Sequence, residues 1–296
     1  MPFIMSKPRG GVPPAQRWRI MPLGNEWDAM WLAEIEMAAT AGGTDLCTGG
    51  TPFHSGGPGT LANLFDNNTG TSYQTGQYEV TTYSFGYEFA TPVSIAEVRL
   101  TAESTRGPAA PTSFAVQSST DGGSTWKTYA LHTGLTAFTN GQQRSFSVGT
   151  TAFPTGIGRT NARGWRIVPS ATVSFSWSQL GEIIMATTAG GATVCTGGGY
   201  IANGSTYAFG RLPANAFDGN TSTQWQIART PGCIGYAFNS AKNIVEMRLT
   251  IGTADTGGAP ADFTIEYTED FTTWTTISTV TGQSGWSSGT YKTFSF

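Results

Sequence analysis

Apolar and polar residues alternate through Ser113-Phe114-Ala115-Val116-Gln117-Ser118, and again through Asp262-Phe263-Thr264-Ile265-Glu266-Tyr267. A two-residue period is that of a strand with one buried face. Ala96-Glu97-Val98-Arg99-Leu100-Thr101 and Val245-Glu246-Met247-Arg248-Leu249-Thr250 form a second pair of the same kind. Thr120-Asp121-Gly122-Gly123-Ser124 is a turn signal between a strand and Trp126. The stretch from Glu26 to Thr40 carries Met30, Glu34 and Met37 near helical spacing. Its later counterpart, Thr172-Val173-Ser174-Phe175-Ser176-Trp177, is β-branched and aromatic, and this assigns strand to both. Turn signals at short intervals predict an all-β chain, folded as sandwiches or jelly rolls.

The pattern occurs twice. Trp18-Arg19-Ile20 returns as Trp165-Arg166-Ile167, Cys47-Thr48-Gly49-Gly50 as Cys195-Thr196-Gly197-Gly198, and Ala62-Asn63-Leu64-Phe65-Asp66 as Ala214-Asn215-Ala216-Phe217-Asp218. Trp18 and Trp165 lie 147 positions apart, Asp66 and Asp218 152. So long a period marks a duplicated domain rather than a solenoid of 20–50-residue repeats. The expected organisation is an extended Pro- and Gly-containing arm over 1–16, a first jelly roll over 17–148, a linker over 149–164 and a second jelly roll over 165–296.

Composition narrows the function classes. Charged residues are 12% of the 296-residue chain, about half the usual share, and aromatic residues are another 12%, which excludes a low-complexity polymer. The net charge of −3 offers no basic face to neutralise phosphates, so nucleic acid is not an expected partner. The first eleven residues hold no apolar run of signal-peptide length, and no stretch approaches the ~20 apolar residues of a membrane span. Synthesis in a cytoplasm without membrane insertion is the expectation. Cys47 and Cys195 are repeat equivalents and Cys233 is matched by Ser84, so reduced, buried thiols are expected, although a Cys195–Cys233 bond is open to the sequence.

The string Ala214-Asn215-Ala216-Phe217-Asp218-Gly219-Asn220-Thr221-Ser222-Thr223-Gln224-Trp225 resembles the signature of discoidin, or coagulation-factor C-type, domains. An aromatic-Gly-Tyr-x-Phe strand, the Arg-Leu strand and a strand-turn-Trp segment follow in family order. The first copy is looser, with Asn67 for the signature Gly and Tyr73 for the Trp. The opening Trp-Arg-Ile and Ala-Glu-Ile-Glu strings resemble the family's closing strands moved to the front of each unit, an arrangement similar to tandem modules in bacteriophage structural proteins. The resemblance implies two galactose-binding-like jelly rolls and a structural calcium ion in each. A hard cation takes about 6–8 oxygen ligands. The family's ligand positions fall on Ala33, Glu34, Asn63, Asp66, Asn68 and Thr71 in the first copy, and on Gly181, Glu182, Asn215, Asp218, Asn220 and Thr223 in the second. A plain Asx-type turn is the competing account of these loops.

Sugar binding needs an exposed aromatic plane and polar groups that fork to ring hydroxyls. Loop residues that differ between copies are the candidates: Phe53, His54, Tyr83 and Arg106, then Tyr200, Tyr207, Arg211, Arg229 and Trp286. The repeated Trp18, Trp126, Trp165 and Trp274 read as core. His54 and His132 sit at non-equivalent places in one copy, and no nucleophile comes with a matched base and orienter, so no catalytic centre is expected. The expectation is a non-enzymatic virion protein of a bacteriophage, associated with a tail or fibre. It would attach to host-surface carbohydrate, multimeric in the particle because single lectin-like sites bind weakly. A purely structural capsid- or tail-decorating subunit that binds other virion proteins is the alternative, and the targeting part of a glycoside-acting enzyme a third.

Overall fold

The computed structural model describes residues 11–296 apart from 80, 82, 204–209, 229–231 and 253–255. Among the described residues there is no α-helix, and no helix is long and apolar enough to cross a membrane. The first unit contains β1 (Ala15–Gly24), β2 (Trp31–Ala38), β3 (Thr51–His54), β4 (Tyr73–Gln74), β5 (Phe85–Val93), β6 (Glu97–Ala102), β7 (Ser113–Ser119), β8 (Lys127–His132) and β9 (Gln143–Ser147). The second contains β10 (Gly164–Thr172), β11 (Ser178–Leu180), β12 (Glu182–Ala186), β13 (Gly199–Ala202), β14 (Trp225–Ile227), β15 (Ile234–Ala237), β16 (Glu246–Thr250), β17 (Pro260–Thr268), β18 (Thr275–Val280) and β19 (Lys292–Ser295).

Each unit is a β-sandwich whose five-stranded sheet has the same order: β3-β5-β1-β7-β8 in the first, β13-β15-β10-β17-β18 in the second. The opposing sheet is β4-β2-β6-β9 in the first unit, and is split into β12-β16-β19 and β11-β14 in the second. All the named strand pairs are antiparallel. The repeated tryptophans of β1 and β10 sit at the centre of the sandwich. Trp18 and Trp165 are fully buried, and each indole N–H is satisfied, by the Val93 carbonyl at 3.0 Å and the Lys242 carbonyl at 2.8 Å. A buried indole needs such a partner.

Other repeated strings resolve into paired devices. Gly42 and Gly190 turn their hairpins with φ of 67° and 69°, and donate their N–H groups to Glu97 and Glu246. Arg99 joins Glu36 at 2.6 Å, Glu97 at 3.2 Å and the Gly43 carbonyl at 2.8 Å; Arg248 does the equivalent work with Glu246 and the Gly191 carbonyl. In the Cys-Thr-Gly-Gly strings, a Cβ on Gly50 or Gly198 would stand 2.2 or 2.1 Å from the carbonyl oxygen of Glu88 or Ala237. The three cysteines are free and buried, so no Cys195–Cys233 bond forms.

The structure departs from the sequence pattern in three places. Residues 26–30 and 173–177 are irregular rather than strand, β2 beginning only at Trp31. Phe175 and Trp177 instead stack on each other, with centroids 4.1 Å apart, over Gly257 and Gly258. β7 is buried on both faces, not one. Its outward Ala115 joins Leu23, Ile201, Cys233, Ala237 and Phe271 in an apolar cluster between the units. The two five-stranded sheets therefore face each other across this seam.

The turn between β17 and β18 locks the seam. The Asp270 carbonyl accepts from Gln117 Nε2 and from Thr128 Oγ1, both at 2.7 Å, and Thr272 Oγ1 accepts from Gln117 Nε2 at 2.9 Å and Arg19 Nη2 at 3.2 Å. Between them Phe271 is fully buried with φ of 62°. Its first-copy equivalent, Gly122, has φ of 72° and open space around it. The second copy thus keeps a left-handed turn that suits glycine and places a phenylalanine there, offsetting the backbone strain of about 1–2 kcal/mol by burying a ring. Removing that ring should cost about 3–5 kcal/mol. Phe271→Ala should therefore split urea unfolding into two transitions. Phe271→Gly should be less destabilising than Phe271→Ala by about 1 kcal/mol, the reverse of the usual order. A Gly variant less stable than the Ala variant would contradict the strain assignment.

Candidate functional site

Register places a bulge at the same point of both units. In the β2–β6 ladder the register shifts between Leu32 and Glu34; in the second unit the strand breaks at Gly181, between β11 and β12. A bulge leaves one residue outside the ladder and bends the strand. Ala33 and Gly181 occupy that position, and the next residue of each copy, Glu34 or Glu182, is 2% or 4% exposed. Each glutamate reaches the loop of its own unit. Glu34 Oε1 accepts from the backbone N–H of Asp66 at 3.1 Å and of Asn68 at 3.3 Å. Glu182 Oε2 accepts from the Gly219 N–H at 3.0 Å. Pairing of Glu182 with Asp66, which the family's usual strand order would have allowed, does not occur.

The loops themselves are near copies. Asp66 Oδ1 accepts from the Asn68 N–H at 2.9 Å and Asp218 Oδ1 from Asn220 at 2.8 Å. Thr71 and Thr223 each donate to the aspartate and meet the carbonyl two residues beyond it. Asn63 and Asn215 tie the loop start to its end through the carbonyls of Ser72 and Gln224. Asn67 takes the left-handed φ of 56° that Gly219 takes at 75°, a conformation asparagine tolerates. The Glu, Asn, Asp and Thr residues expected in each loop are thereby linked by hydrogen bonds within their own unit, and Ala33 and Gly181 stand next to them in the chain.

The electrostatics of each cluster are those of crowded carboxylates. Burial, and then a hydrogen bond shared with Asp66, push the Glu34 carboxyl up to about 8. Burial pushes Glu182 up to about 7, with the Asp218 charge adding to it and the Gly219 amide opposing. Paired carboxylates around backbone and hydroxyl oxygens form a donor set of the kind hard cations take.

The sugar candidates have separate sets of partners. Phe53 packs 5.8 Å from Trp126, beneath Arg17. His54 contacts the Gly56 carbonyl at 2.5 Å and the edge of Tyr73. Tyr83 is 8% exposed and donates to Glu79. Arg106 lies 4.1 Å over the Trp31 ring. Tyr200 is not in a loop but on β13, against Gly24 and 3.5 Å from Glu26 of the other unit. Arg211 is half-buried beside the second ion loop. Trp286 is 5% exposed within the second core, its indole donating to the Pro260 carbonyl at 3.1 Å, so its faces are not open to a ligand. Tyr207 and Arg229 lie outside the described residues.

The repeated Trp126 and Trp274 correct the sequence reading. They are half-buried rather than core, and each carries an arginine guanidinium over its ring: Arg19 at 3.7 Å and Arg166 at 3.8 Å. The second of these pairs lines a cleft of about 350 Å³ between the units, together with Tyr78, Glu79, Thr81 and Asn203. Sequence reasoning missed this cleft, because its walls come from both copies. His132 packs among Phe114 and Phe146, where burial lowers its pKa.

Residues 48–178 match the family described as the F5/8 type C domain, and residues 215–296 match the NedA-like, galactose-binding domain. No curated protein and no solved structure matches the chain. The matched stretches are offset from the packed units: the first begins after β2 and ends in β11, although β10 pairs with β15 and β17 of the second sandwich.

In buffer containing a chelator, stability should fall as pH rises from about 4.5 toward about 8. The folded state holds a proton on Glu34 that the unfolded chain releases above its ordinary value of 4.5, so folding binds protons across this window. Glu34→Gln keeps the acceptor oxygen and removes the titration. It should reduce that slope by the Glu34 share, Glu182 keeping the remainder, and raise the melting temperature at pH 8, by about 2–4 °C for each kcal/mol regained. Parallel urea melts at pH 5 and pH 8 decide; an unchanged slope in the variant would refute the assignment.

Proposed function

We propose a carbohydrate-binding role for this chain, which belongs, as two tandem domains, to the F5/8 type C, galactose-binding family. Domains of this family are in general binding modules, and the family match to both halves is the observation that carries the reading. Surface chemistry supports it. The exposed large apolar side chains among the described residues are Ile157 and Val173, which do not make the broad apolar patch of a protein-docking face. The cleft between the units is concave and mixes Trp274 and Tyr78 with Arg166 and Asn203, the blend of plane and polar group that sugars require.

Attachment is the role we assign to that binding, without chemistry performed on the sugar. Single sites of this kind are weak, so attachment works through many copies displayed together. The front-shifted strands, similar to tandem modules of bacteriophage structural proteins, suggest a virion as the setting and a host-surface glycan as the target.

A structural calcium ion in each loop belongs to the same reading. The carboxylates of Glu34 and Asp66, the Thr71 hydroxyl and the carbonyls of Ala33, Asn63 and Asn68 would hold one. Glu182, Asp218, Thr223, Gly181, Asn215 and Asn220 would hold the other. The charge of the ion would stabilise two adjoining carboxylates in their ionised form.

Two measurements test these statements. A glycan array with the full chain should show binding to sugar-bearing spots; a blank array would remove the carbohydrate reading. Calcium at about a hundred times its dissociation constant should add about 2.7 kcal/mol per site, and a chelator should lower the melting temperature accordingly. Asp66→Ala and Asp218→Ala should each remove one unit's share, and the double variant should ignore the chelator. An unchanged melting curve, in protein first shown to be metal-loaded, would refute calcium and leave the fold standing.

A further inference from the structure

The duplication puts the same recognition surface in two different situations. In the first copy Arg19 lies over Trp126 and bonds Gln117 at 2.8 Å. That surface is filled by the chain itself: the Asp270 carbonyl and the Thr272 hydroxyl take its donors. In the second copy Arg166 lies over Trp274 and bonds Glu266 at 2.8 Å. The corresponding turn of the first unit, around Asp121 and Gly122, bonds to Arg17, Ser119 and Thr125 of its own unit instead. The cleft of about 350 Å³ lies beside Arg166 and Trp274, closed on its far side by Met21, Tyr78, Glu79 and Thr81 of the first unit.

We propose that this inter-unit cleft binds a single neutral sugar ring, a site separate from the ion loops and from the loop aromatics. The proposal rests on the carbohydrate reading above and places it. The first copy shows a hydroxyl received by the arginine beside a half-buried indole; in the second copy Glu266 stands where Gln117 does, so that position accepts from a hydroxyl rather than donating. The cleft's size is at the lower end of small-ligand sites, about 300–1,000 Å³, and suits one ring rather than a chain. Its charge selects against anions, since Arg166 is already paired with Glu266 and Glu79 adds a negative group. Trp274, Tyr78 and Met21 offer an apolar wall for the C–H face of a ring. Asn203, Thr81 and Thr272 offer hydroxyl partners.

Backbone strain marks the same wall. Tyr78 holds φ of 57°, a conformation costly for an aromatic residue, while its ring packs against the core of the second unit. Tyr83 stands behind the site and donates to Glu79, which fixes that carboxylate at the rim. Because both units build the walls, neither alone has the site.

The test is calorimetric titration of the full chain with methyl β-galactoside and methyl β-glucoside, against N-acetylneuraminate and glucuronate. A neutral glycoside should bind, and the acids should bind at least about tenfold more weakly. Thr81→Trp fills the cleft and Asn203→Leu removes a polar partner; each should weaken neutral binding at least about tenfold, with Lys127→Ser as the unaffected surface control. Matching melting curves certify the folds, and Asn203→Leu serves if Thr81→Trp does not fold. Neutral binding untouched by the folded cleft variants, a preference for the acids, or a positive glycan array with no glycoside binding overturns the cleft alone. A blank array together with blank titrations overturns the carbohydrate reading as well.

Discussion

The architecture hangs on one part-buried hydrogen-bond network, the capture of the Asp270–Thr272 turn by Arg19, Gln117 and Thr128. Arg19 is 8% exposed, and burial lowers its pKa to about 10 against the supporting charge of Asp270. It therefore remains a cation at neutral pH, and a buried cation without partners would be strongly destabilising. Gln117, Ser84 and Thr272 supply those partners, the last from the other unit. Nearby, Glu269 accepts the N–H groups of Gly156, Ile157 and Gly158, so the connecting segment is docked on the same turn that bridges the units. The apolar seam and the cleft beside it both follow from this placement.

Duplication separates scaffold from specialisation. The Asp66 and Asp218 loops, the hairpin clamps and the central Trp18 and Trp165 are alike in both copies because each sandwich must satisfy its own buried groups. The seam requires the copies to differ, since one surface receives and the other inserts. Ala115 and Gln117 stand where the second copy has Thr264 and Glu266, and Phe271 stands where the first has Gly122. A glutamate at 117 would bring a carboxylate, which has no amide N–H to donate, against the Asp270 carbonyl.

The alternating strands, the repeat and the own-unit pairing of Glu34 with the Asp66 loop were legible in the chain, because each depends on local periodicity or on a complete motif. Most of what was not legible depended on where the two copies meet. Ser113–Ser118 reads as a half-buried strand, and is one until a second domain covers its outer face. Trp126 and Trp274 recur after a strand, as core residues do, and only the stacked arginines reveal them as platforms. The string 172–177 has strand composition, yet its aromatic rings pack on each other and on two glycines rather than in a ladder. Unmatched residues such as Ala115 and Phe271 hold the seam's signal, since a difference between copies marks a contact between them as readily as a contact with a ligand.

The left-handed phenylalanine also sets an order of assembly. Its partner Ala115 is made 156 residues before Phe271. At roughly 5–20 residues per second, the first sandwich, complete once β9 ends at Ser147, precedes the ring that covers it by about 6–25 seconds. During that interval its outer sheet face is an apolar surface in the open, and the nascent chain is at its stickiest while already half folded.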